Sequence, residues 1–409
     1  MPVSKRLPTA QTVKPYWQSA CGRVTVHVGD CREVMAKLEP ETFHAVVTDP
    51  PYGLEFDVGQ VKGNWDAPWK HTQASQRRVD EFDNPVKRKY LWHNVEYVRD
   101  GPAFQQWFLG CAQAILRVAK PGAHLLSFGG TRMWHRMTCA VEDAGFEIRD
   151  CIVWCYSSGY PKGRDISKDI DRILGATRQV VGTIEMSDTT KVRPGFTGAS
   201  HNNGVMAKRQ VELTEPATDE ARQWDGWNTT LKPAWEPVLV SRKLAGGPIT
   251  QNILDNGCGG ININDCRADG RWPANLIHDG SPDVVSTMPD GTSRVFYSAK
   301  SNDSDRPHGS TATAHPTVKP LDLMRYLVRL VCAPGGTVLD PFMGSGSTGC
   351  AAVMEGTKFV GIEQSVEYAD IAVGRIKLAL MSAPGAVELK VRGGGAPKPQ
   401  PVKAAVGMV

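Results

Sequence analysis

The chain has 409 residues, of which 41% are hydrophobic and 22% are charged, which suits one large α/β domain with a smaller second lobe. No apolar run is long enough to cross a membrane, and the basic residues Lys5 and Arg6 are followed by no apolar signal segment. The formal net charge of +4 indicates a weak preference for polyanions and does not by itself identify a nucleic-acid-binding protein. The ten cysteines form no CxxC pair and no zinc-finger spacing with histidine, so we predict free thiols in a reducing cytoplasm and no metal site.

The first part of the chain alternates short apolar strands with helices. Strands are predicted at Val24–Val28 and Phe43–Thr48, with a helix at 33–38 between them. The elements predicted next are a helix at 104–118, a strand at 124–128, a helix at 134–144 and a strand at 147–154. Because strands that alternate with helices run parallel, we predict an α/β fold with a doubly wound, mostly parallel sheet.

The same alternation returns near the C-terminus. The elements predicted there are a helix at 321–332, a strand at Thr337–Asp340, a helix at 347–355, a strand at 358–362 and a helix at 366–380. The predicted organisation is an N-terminal arm (1–20), one half of the α/β domain (21–160), an inserted lobe (161–314), the other half of the domain (315–382) and a disordered tail (383–409). The insert is rich in Gly, Asn, Thr and Asp, and one strand near 236–242 is a candidate to return to the sheet.

A glycine-rich turn follows the strand Thr337–Asp340. Gly344, Gly346 and Gly349 satisfy the GxGxxG pattern of dinucleotide sites, although such a turn can need its glycines for structure alone. Asp340, directly before the turn, disfavours a pyrophosphate and favours a cofactor with a cationic end and no phosphate, such as S-adenosylmethionine.

Three further residues suit this cofactor. Glu363 ends the next strand, where its carboxylate can accept from both ribose hydroxyls. Phe342 can pack on the face of the adenine ring. Asp30 follows another strand and can accept from the adenine amino group, with the N-cap of a helix as the alternative role.

The strand Phe43–Thr48 is followed by Asp49, Pro50, Pro51 and Tyr52, which suit methylation of an exocyclic amino group. The Asp49 carboxylate and the Pro50 carbonyl can accept from the two N–H bonds of such a group and free its lone pair for attack. Each proline fixes its own φ, and Pro51 holds Pro50 extended. Tyr52 can stack on a base that has left the duplex. Methylation at cytosine C5 needs a cysteine nucleophile, usually after a proline, and no cysteine here follows a proline.

These residues resemble the amino-methyltransferase family of DNA modification enzymes. Asp49 to Tyr52 resembles its catalytic tetrapeptide, and residues 340–346 resemble its cofactor loop. Residues 315–320 resemble the segment that precedes this loop and helps to hold the methionine end of the cofactor. The resemblance therefore implies a fold of the S-adenosylmethionine-dependent methyltransferase type, double-stranded DNA as substrate, and cofactor contacts that extend to Thr317, Lys319, Gly344, Gly346 and Ser347.

The order of the two motifs is typical of the permuted β group of that family, in which the intervening lobe recognises the target sequence. An Asp at the first catalytic position favours adenine N6 over cytosine N4. Methylation of cytosine N4 stays open as an alternative, and an NAD-dependent oxidoreductase on the same sheet is a distant one. A homodimer and a cognate restriction nuclease also stay open, and the expected location is the cytoplasm of a bacterial or phage-infected cell.

Aromatic and basic residues interleave in the loop 54–102, which is a candidate DNA clamp, with a solvated loop as the alternative. His315 is interpreted as a residue that positions the cofactor, because the amino group can lose its proton to water and needs no catalytic base.

Overall fold

A nine-stranded mixed sheet organises the part of the chain that the computed structural model describes, which is residues 14–52, 101–156, 163–187, 208–268, 270–286 and 318–382. The strands are β1 (Trp17–Gln18), β2 (Val24–Val28), β3 (Phe43–Thr48), β4 (Ala119–Phe128), β5 (Phe146–Cys155), β6 (Gln179–Ser187), β7 (Lys208–Glu215), β8 (Trp235–Lys243), β9 (Leu276–His278), β10 (Thr337–Asp340) and β11 (Lys358–Glu363). The helices are α1 (Cys31–Lys37), α2 (Gly101–Val118), α3 (Trp134–Asp143), α4 (Ile166–Ile173), α5 (Asp219–Gln223), α6 (Ile249–Asn256), α7 (Pro282–Val285), α8 (Leu321–Val331), α9 (Ser347–Met354) and α10 (Val366–Ser382).

The strand order is β1-β2-β11-β10-β3-β4-β8-β5-β9. The five neighbours from β2 to β4 run parallel to one another, whereas β8 runs antiparallel to both β4 and β5. The carboxyl ends of β2, β11, β10, β3 and β4 therefore share one edge of the sheet. Because β8 runs the opposite way, its first residues also reach that edge.

Helices cover both faces of the sheet. Val46 and Val47 of β3 are both fully buried and belong to different hydrophobic clusters, and Val338 and Leu339 of β10 divide in the same way. One cluster contains residues of α8, α9 and α10, and the other contains residues of α1, α2 and α3. Alternate side chains of a strand point to opposite faces, so a strand covered on both faces is apolar throughout, as these strands are. The predicted doubly wound α/β fold is confirmed.

The strands predicted at Val24–Val28, Phe43–Thr48 and Thr337–Asp340 have the observed bounds, whereas β4 begins at Ala119, before the predicted position 124. The strand expected near 236–242 is observed as β8, at Trp235–Lys243.

The insert contributes both to the main sheet and to a separate structure. Strands β8 and β9 complete the main sheet, whereas β6 and β7 pair only with each other, as an antiparallel two-stranded sheet. Arg178, at the start of this hairpin, forms an ion pair of 2.7 Å with Asp171 of α4, whose carboxylate also accepts from the backbone of Ala217 and Thr218. The predicted loop 54–102, apart from residues 101–102, and the tail 383–409 lie outside the described residues. None of the described helices is both long and apolar enough to cross a membrane.

Candidate active site

Four carboxylates follow neighbouring strands along one edge of the sheet. Asp30 comes after β2, Glu363 ends β11, Asp340 ends β10 and Asp49 follows β3. Because these strands are adjacent and parallel, the acids lie in the order Asp30, Glu363, Asp340, Asp49. This edge of an open α/β sheet is where ligands usually bind.

Asp340 is 2% exposed, and its carboxylate is held by three hydrogen bonds. The hydroxyl of Thr48 donates to Oδ1 at 2.7 Å, the hydroxyl of Thr348 donates to Oδ2 at 2.6 Å, and the backbone N–H of Phe342 donates to Oδ1 at 3.1 Å. Burial raises the pKa of Asp340 to about 6, although these hydrogen bonds act in the opposite direction. Of the described residues, no lysine or arginine forms an ion pair with Asp340, so its charge is uncompensated at neutral pH.

Glu363 fixes the backbone of the glycine-rich turn. Its Oε2 accepts from the N–H of Gly344 at 2.8 Å, and its Oε1 accepts from the N–H of Ser365 at 2.9 Å. Burial raises the pKa of Glu363. Each carboxylate oxygen has a second lone pair, so Glu363 can still accept from a pair of hydroxyl groups.

The glycines of the turn are required by helix packing. Gly346 has φ +82°, and a Cβ there would lie 2.9 Å from Cβ of Ala372 in α10. A Cβ on Gly349 would lie 2.5 Å from the Ile376 side chain of the same helix. Helix packing, the structural role that the sequence left open for the glycines of the turn, therefore accounts for Gly346 and Gly349.

Arg375 of α10 holds the same turn and was not predicted from the sequence. Its Nη1 donates to the carbonyl of Ser345 at 2.7 Å, to the Ser345 hydroxyl at 2.9 Å and to the Ser347 hydroxyl at 3.2 Å. The Ser347 hydroxyl thus already accepts one hydrogen bond from the protein. The only sequence signal for Arg375 is a basic residue in a helix that otherwise packs on the sheet.

Asp30 caps helix α1. Its Oδ1 accepts from the backbone N–H of Arg32 at 2.8 Å, and its Oδ2 forms an ion pair of 2.7 Å with the Arg32 guanidinium. The hydrogen bonds from Arg32 lower the pKa of Asp30. The N-cap alternative is therefore observed, and the contact with an adenine amino group stays a prediction.

Phe342 belongs to an aromatic group formed with helix α2. Its ring centroid lies 5.9 Å from that of Trp107 and 6.4 Å from that of Phe108, and the ring is half-buried. Part of the ring is thus available to a ligand at the sheet edge. Thr317, also predicted to contact the cofactor, lies outside the described residues, as does His315.

The predicted catalytic tetrapeptide contributes two residues to a charged cluster of four side chains, which we call the Asp49 cluster: Asp49, Tyr52, Glu236 and Lys319. Lys319 Nζ lies 2.9 Å from Asp49 Oδ2 and 3.1 Å from Glu236 Oε2, and it donates to the Tyr52 hydroxyl at 2.9 Å. The Tyr52 hydroxyl lies 2.8 Å from Asp49 Oδ1 and 2.9 Å from Glu236 Oε2. Lys319 therefore contacts the predicted catalytic residues, and its predicted contact with the cofactor stays a prediction.

Three separate parts of the chain form this cluster. Asp49 and Tyr52 follow β3, Lys319 precedes α8, and Glu236 is the second residue of β8. Glu236 was not predicted as a site residue, and it was expected only as part of a strand near 236–242.

Burial and neighbouring charges both shift the pKa values of Lys319 and Tyr52 in the Asp49 cluster. Burial alone would lower the pKa of Lys319, but the carboxylates of Asp49 and Glu236 outweigh it and raise that pKa above its usual value. Burial and the same two carboxylates raise the pKa of Tyr52 well above its usual value. At neutral pH the cluster thus contains a neutral phenol and an ammonium beside the carboxyl groups of Asp49 and Glu236.

A narrow crevice lies beside the tetrapeptide. Pro51, Tyr52, Gly130 and Trp134 are among the residues that line it. A Cβ on Gly130 would lie 3.1 Å from the ring of Tyr52, so the backbone after β4 packs directly against that ring.

Comparison with known proteins identifies a family and several similar proteins. A model of the family described as DNA methylase, with members that act at N6 or N4, matches residues 43–374. Type II methyltransferase M.HindIII of Haemophilus influenzae is 24% identical over 344 residues, which are 83% of this chain and 91% of that protein. DNA adenine methyltransferase YhdJ of Escherichia coli is 43% identical over 65 residues, 16% of this chain and 22% of that protein. The solved structure of the cytosine-N4-specific PvuII DNA methyltransferase gives a TM-score of 0.48 at 16% identity, and the match covers 88% of each chain.

The family match extends over the strand before the tetrapeptide, the whole insert, the glycine-rich turn and most of α10. It includes every described residue of the Asp49 cluster and of the acidic sheet edge except Asp30. This chain belongs to the N6/N4 family of DNA methylases.

Proposed function

We propose that this protein transfers a methyl group from S-adenosylmethionine to adenine N6 in double-stranded DNA. The observation that carries the proposal is the position of Asp49 and Pro50 at the carboxyl edge of the sheet, two strands from the cofactor carboxylate Glu363. Reacting group and cofactor can therefore meet at the carboxyl end of β10, which lies between β11 and β3.

The charge of this edge fits the proposed cofactor. Asp30, Glu363, Asp340, Asp49 and Glu236 are five carboxylates, whereas the cations that pair with them among the described residues are Arg32 and Lys319. A dinucleotide pyrophosphate would be repelled here, and a ligand with a cationic amino-acid end would compensate Asp340. When bound, the cofactor supplies a methyl group on a sulfonium cation, so no covalent enzyme intermediate is needed.

The residues of the tetrapeptide prepare the amino nitrogen. The Asp49 carboxylate and the Pro50 carbonyl accept hydrogen bonds from the two N–H groups of the target amino nitrogen. The lone pair of that nitrogen is then no longer delocalised into the base. A cofactor held by Glu363 and Asp340 would supply the methyl group to this lone pair and keep the electrons of the carbon–sulfur bond on sulfur, and the nitrogen would then lose one proton to water. Tyr52 supplies an aromatic face for the flipped base.

Adenine is proposed as the target because the first residue of the tetrapeptide is Asp, which in this family favours N6. The named relatives include an adenine enzyme and a cytosine-N4 enzyme, so the base is tested by experiment.

The test is transfer of tritiated methyl to unmethylated duplex DNA, followed by chromatography of the nucleosides. We expect label in N6-methyladenine, and we expect Asp49→Ala to reduce the rate by about 10²–10³, because a preorganised acceptor is lost. Asp255→Ala, on an exposed face of α6, is the matched control and should transfer at the wild-type rate.

Label in N4-methylcytosine would keep the mechanism and change the base. No label in any duplex, from a folded protein that binds the cofactor, would contradict the proposed function.

A further inference from the structure

Glu236 is the one member of the Asp49 cluster that is neither in the tetrapeptide nor in the segment before α8. It lies on β8, between β4 and β5, and is paired with Trp154 in the register of the sheet. Its side chain is 21% exposed, against 20% for Asp49, so both carboxylates face the same partly open site. A side chain on an interior strand is held more rigidly than one on a loop, which suits a positioning role.

Lys319 creates an electrostatic problem for the proposed reaction. Its ammonium has three N–H groups, and the three acceptors in contact with it are Asp49, Glu236 and the Tyr52 hydroxyl. If Asp49 were its only carboxylate partner, the pair would have no net charge. A neutral pair attracts the N–H bonds of an amino group less strongly than a carboxylate does, and the nitrogen becomes positive during transfer.

Tyr52 adds a second competition for Asp49. Its hydroxyl has a single hydrogen and lies within hydrogen-bond distance of both Asp49 Oδ1 and Glu236 Oε2. If that hydrogen goes to Glu236, Oδ1 of Asp49 is free to accept from the base. Glu236 is thus an alternative acceptor for both donors that occupy Asp49.

We propose that Glu236 is a positioning residue that shares Lys319 and the Tyr52 hydrogen with Asp49, so that the cluster has a net negative charge and Asp49 can accept from the target amino group. This inference rests on the role proposed above for Asp49. Glu236 does not touch the base; it acts through Lys319 and Tyr52. Its other oxygen, Oε1, has a longer contact of 3.4 Å with the Tyr156 hydroxyl.

The first test is Glu236→Gln, which removes the charge and preserves the shape. We expect the single-turnover rate of methyl transfer to fall by about 10²-fold, as for the loss of a preorganised electrostatic contact. We expect the dissociation constants for S-adenosylmethionine and for DNA to change by less than about threefold, because the proposed role of Glu236 is exerted through Lys319 and Tyr52. Glu147→Gln is the matched control: Glu147 pairs with Arg242 at the other end of the same two strands and should leave the rate unchanged.

The second test separates charge from shape. Glu236→Asp keeps the negative charge and should transfer at least about tenfold faster than Glu236→Gln. The double variant Lys319→Met with Glu236→Gln removes one positive and one negative charge, which leaves Asp49 as a net anion, so its rate should also exceed that of Glu236→Gln. If Glu236→Gln does not fold, Glu236→Asp replaces it: this variant should transfer within about tenfold of the wild type, and a larger loss overturns the inference.

The inference is overturned if Glu236→Gln transfers at the wild-type rate, if Glu236→Asp is as slow as Glu236→Gln, or if the folded double variant, at saturating S-adenosylmethionine, is no faster than Glu236→Gln. In each of these cases an active wild type and an inactive Asp49→Ala still support the proposed function. An inactive wild type contradicts the proposed function and the inference together.

Discussion

Asp340 and Asp49 are both carboxylates at strand ends, but their surroundings give them different properties. Asp340 accepts three hydrogen bonds in a buried position and contacts no described cation, whereas Asp49 is partly exposed and is paired with Lys319. Ionisation of Asp340 is therefore opposed by burial, whereas Asp49 has a cation within 2.9 Å.

This difference predicts a pH dependence of stability. The pKa of Asp340 is raised to about 6 in the folded protein from 3.8, so the folded state binds more protons than the unfolded state between these values. The stability contribution of Asp340 is fully present below about pH 4 and is lost as the pH rises through 6. The total loss is about 3 kcal/mol, at about 1.4 kcal/mol per pKa unit.

The measurement is the free energy of urea unfolding from pH 4 to 7 for the wild type and for Asp340→Asn, which cannot ionise. We expect the stability of the wild type relative to the variant to fall by about 3 kcal/mol across this range. If the unfolding free energies of the wild type and the variant change in parallel with pH, Asp340 has an ordinary pKa.

The glycine-rich turn and helix α10 pack together as one structural unit. Glu363 holds the turn from β11, Arg375 holds it from α10, and the absence of side chains at Gly346 and Gly349 lets α10 pack against it. The shape of the proposed cofactor site thus depends on how closely α10 approaches.

Gly346→Ala tests this packing. The left-handed φ costs about 1 kcal/mol for a residue with a Cβ, and the contact at 2.9 Å from Ala372 adds overpacking of about 1–3 kcal/mol. We expect a total destabilisation of about 2–4 kcal/mol in urea unfolding, together with weaker binding of S-adenosylmethionine.

The matched control is Gly226→Ala, which has φ +78° and no atom within 4 Å of the added Cβ. It should lose about 1 kcal/mol and bind the cofactor normally. If both variants lose the same unfolding free energy, the contact with Ala372 does not explain the destabilisation by Gly346→Ala.

At the scale of the whole molecule, the insert is not a detachable lobe. Strand β8 lies between β4 and β5 in the main sheet and also contributes Glu236, whereas β6 and β7 pair only with each other. The insert therefore combines a part that builds the site with a hairpin that lies outside the main sheet.

This division predicts different outcomes for two deletions. Replacement of 181–213 by Asn-Gly, which joins the cross-strand partners Val180 and Thr214, should preserve a cooperative melt and cofactor binding. Deletion of 235–278 removes β8 and β9, leaves β4 and β5 without their shared neighbour, and should abolish folding. Circular dichroism melting and calorimetric cofactor binding compare the two proteins, and loss of the cooperative melt in the hairpin deletion would contradict the division.

The sequence by itself determined most of the strands and helices of the sheet and the positions of the acids at the strand ends. Short apolar runs and turn residues are local signals, and parallel strands place their carboxyl ends on one edge whatever their order. Asp30, Asp49, Asp340 and Glu363 could therefore be predicted together.

Only the tertiary structure decided what these acids contact. Tyr52 and Glu236 are 184 residues apart, Lys319 and Tyr52 are 267 apart, and no local pattern predicts which distant side chains meet. The same reason applies to β8, whose place between β4 and β5 depends on pairing across the insert. Cofactor, tetrapeptide and fold class follow from short-range chemistry, whereas the charge balance of the Asp49 cluster follows from long-range packing.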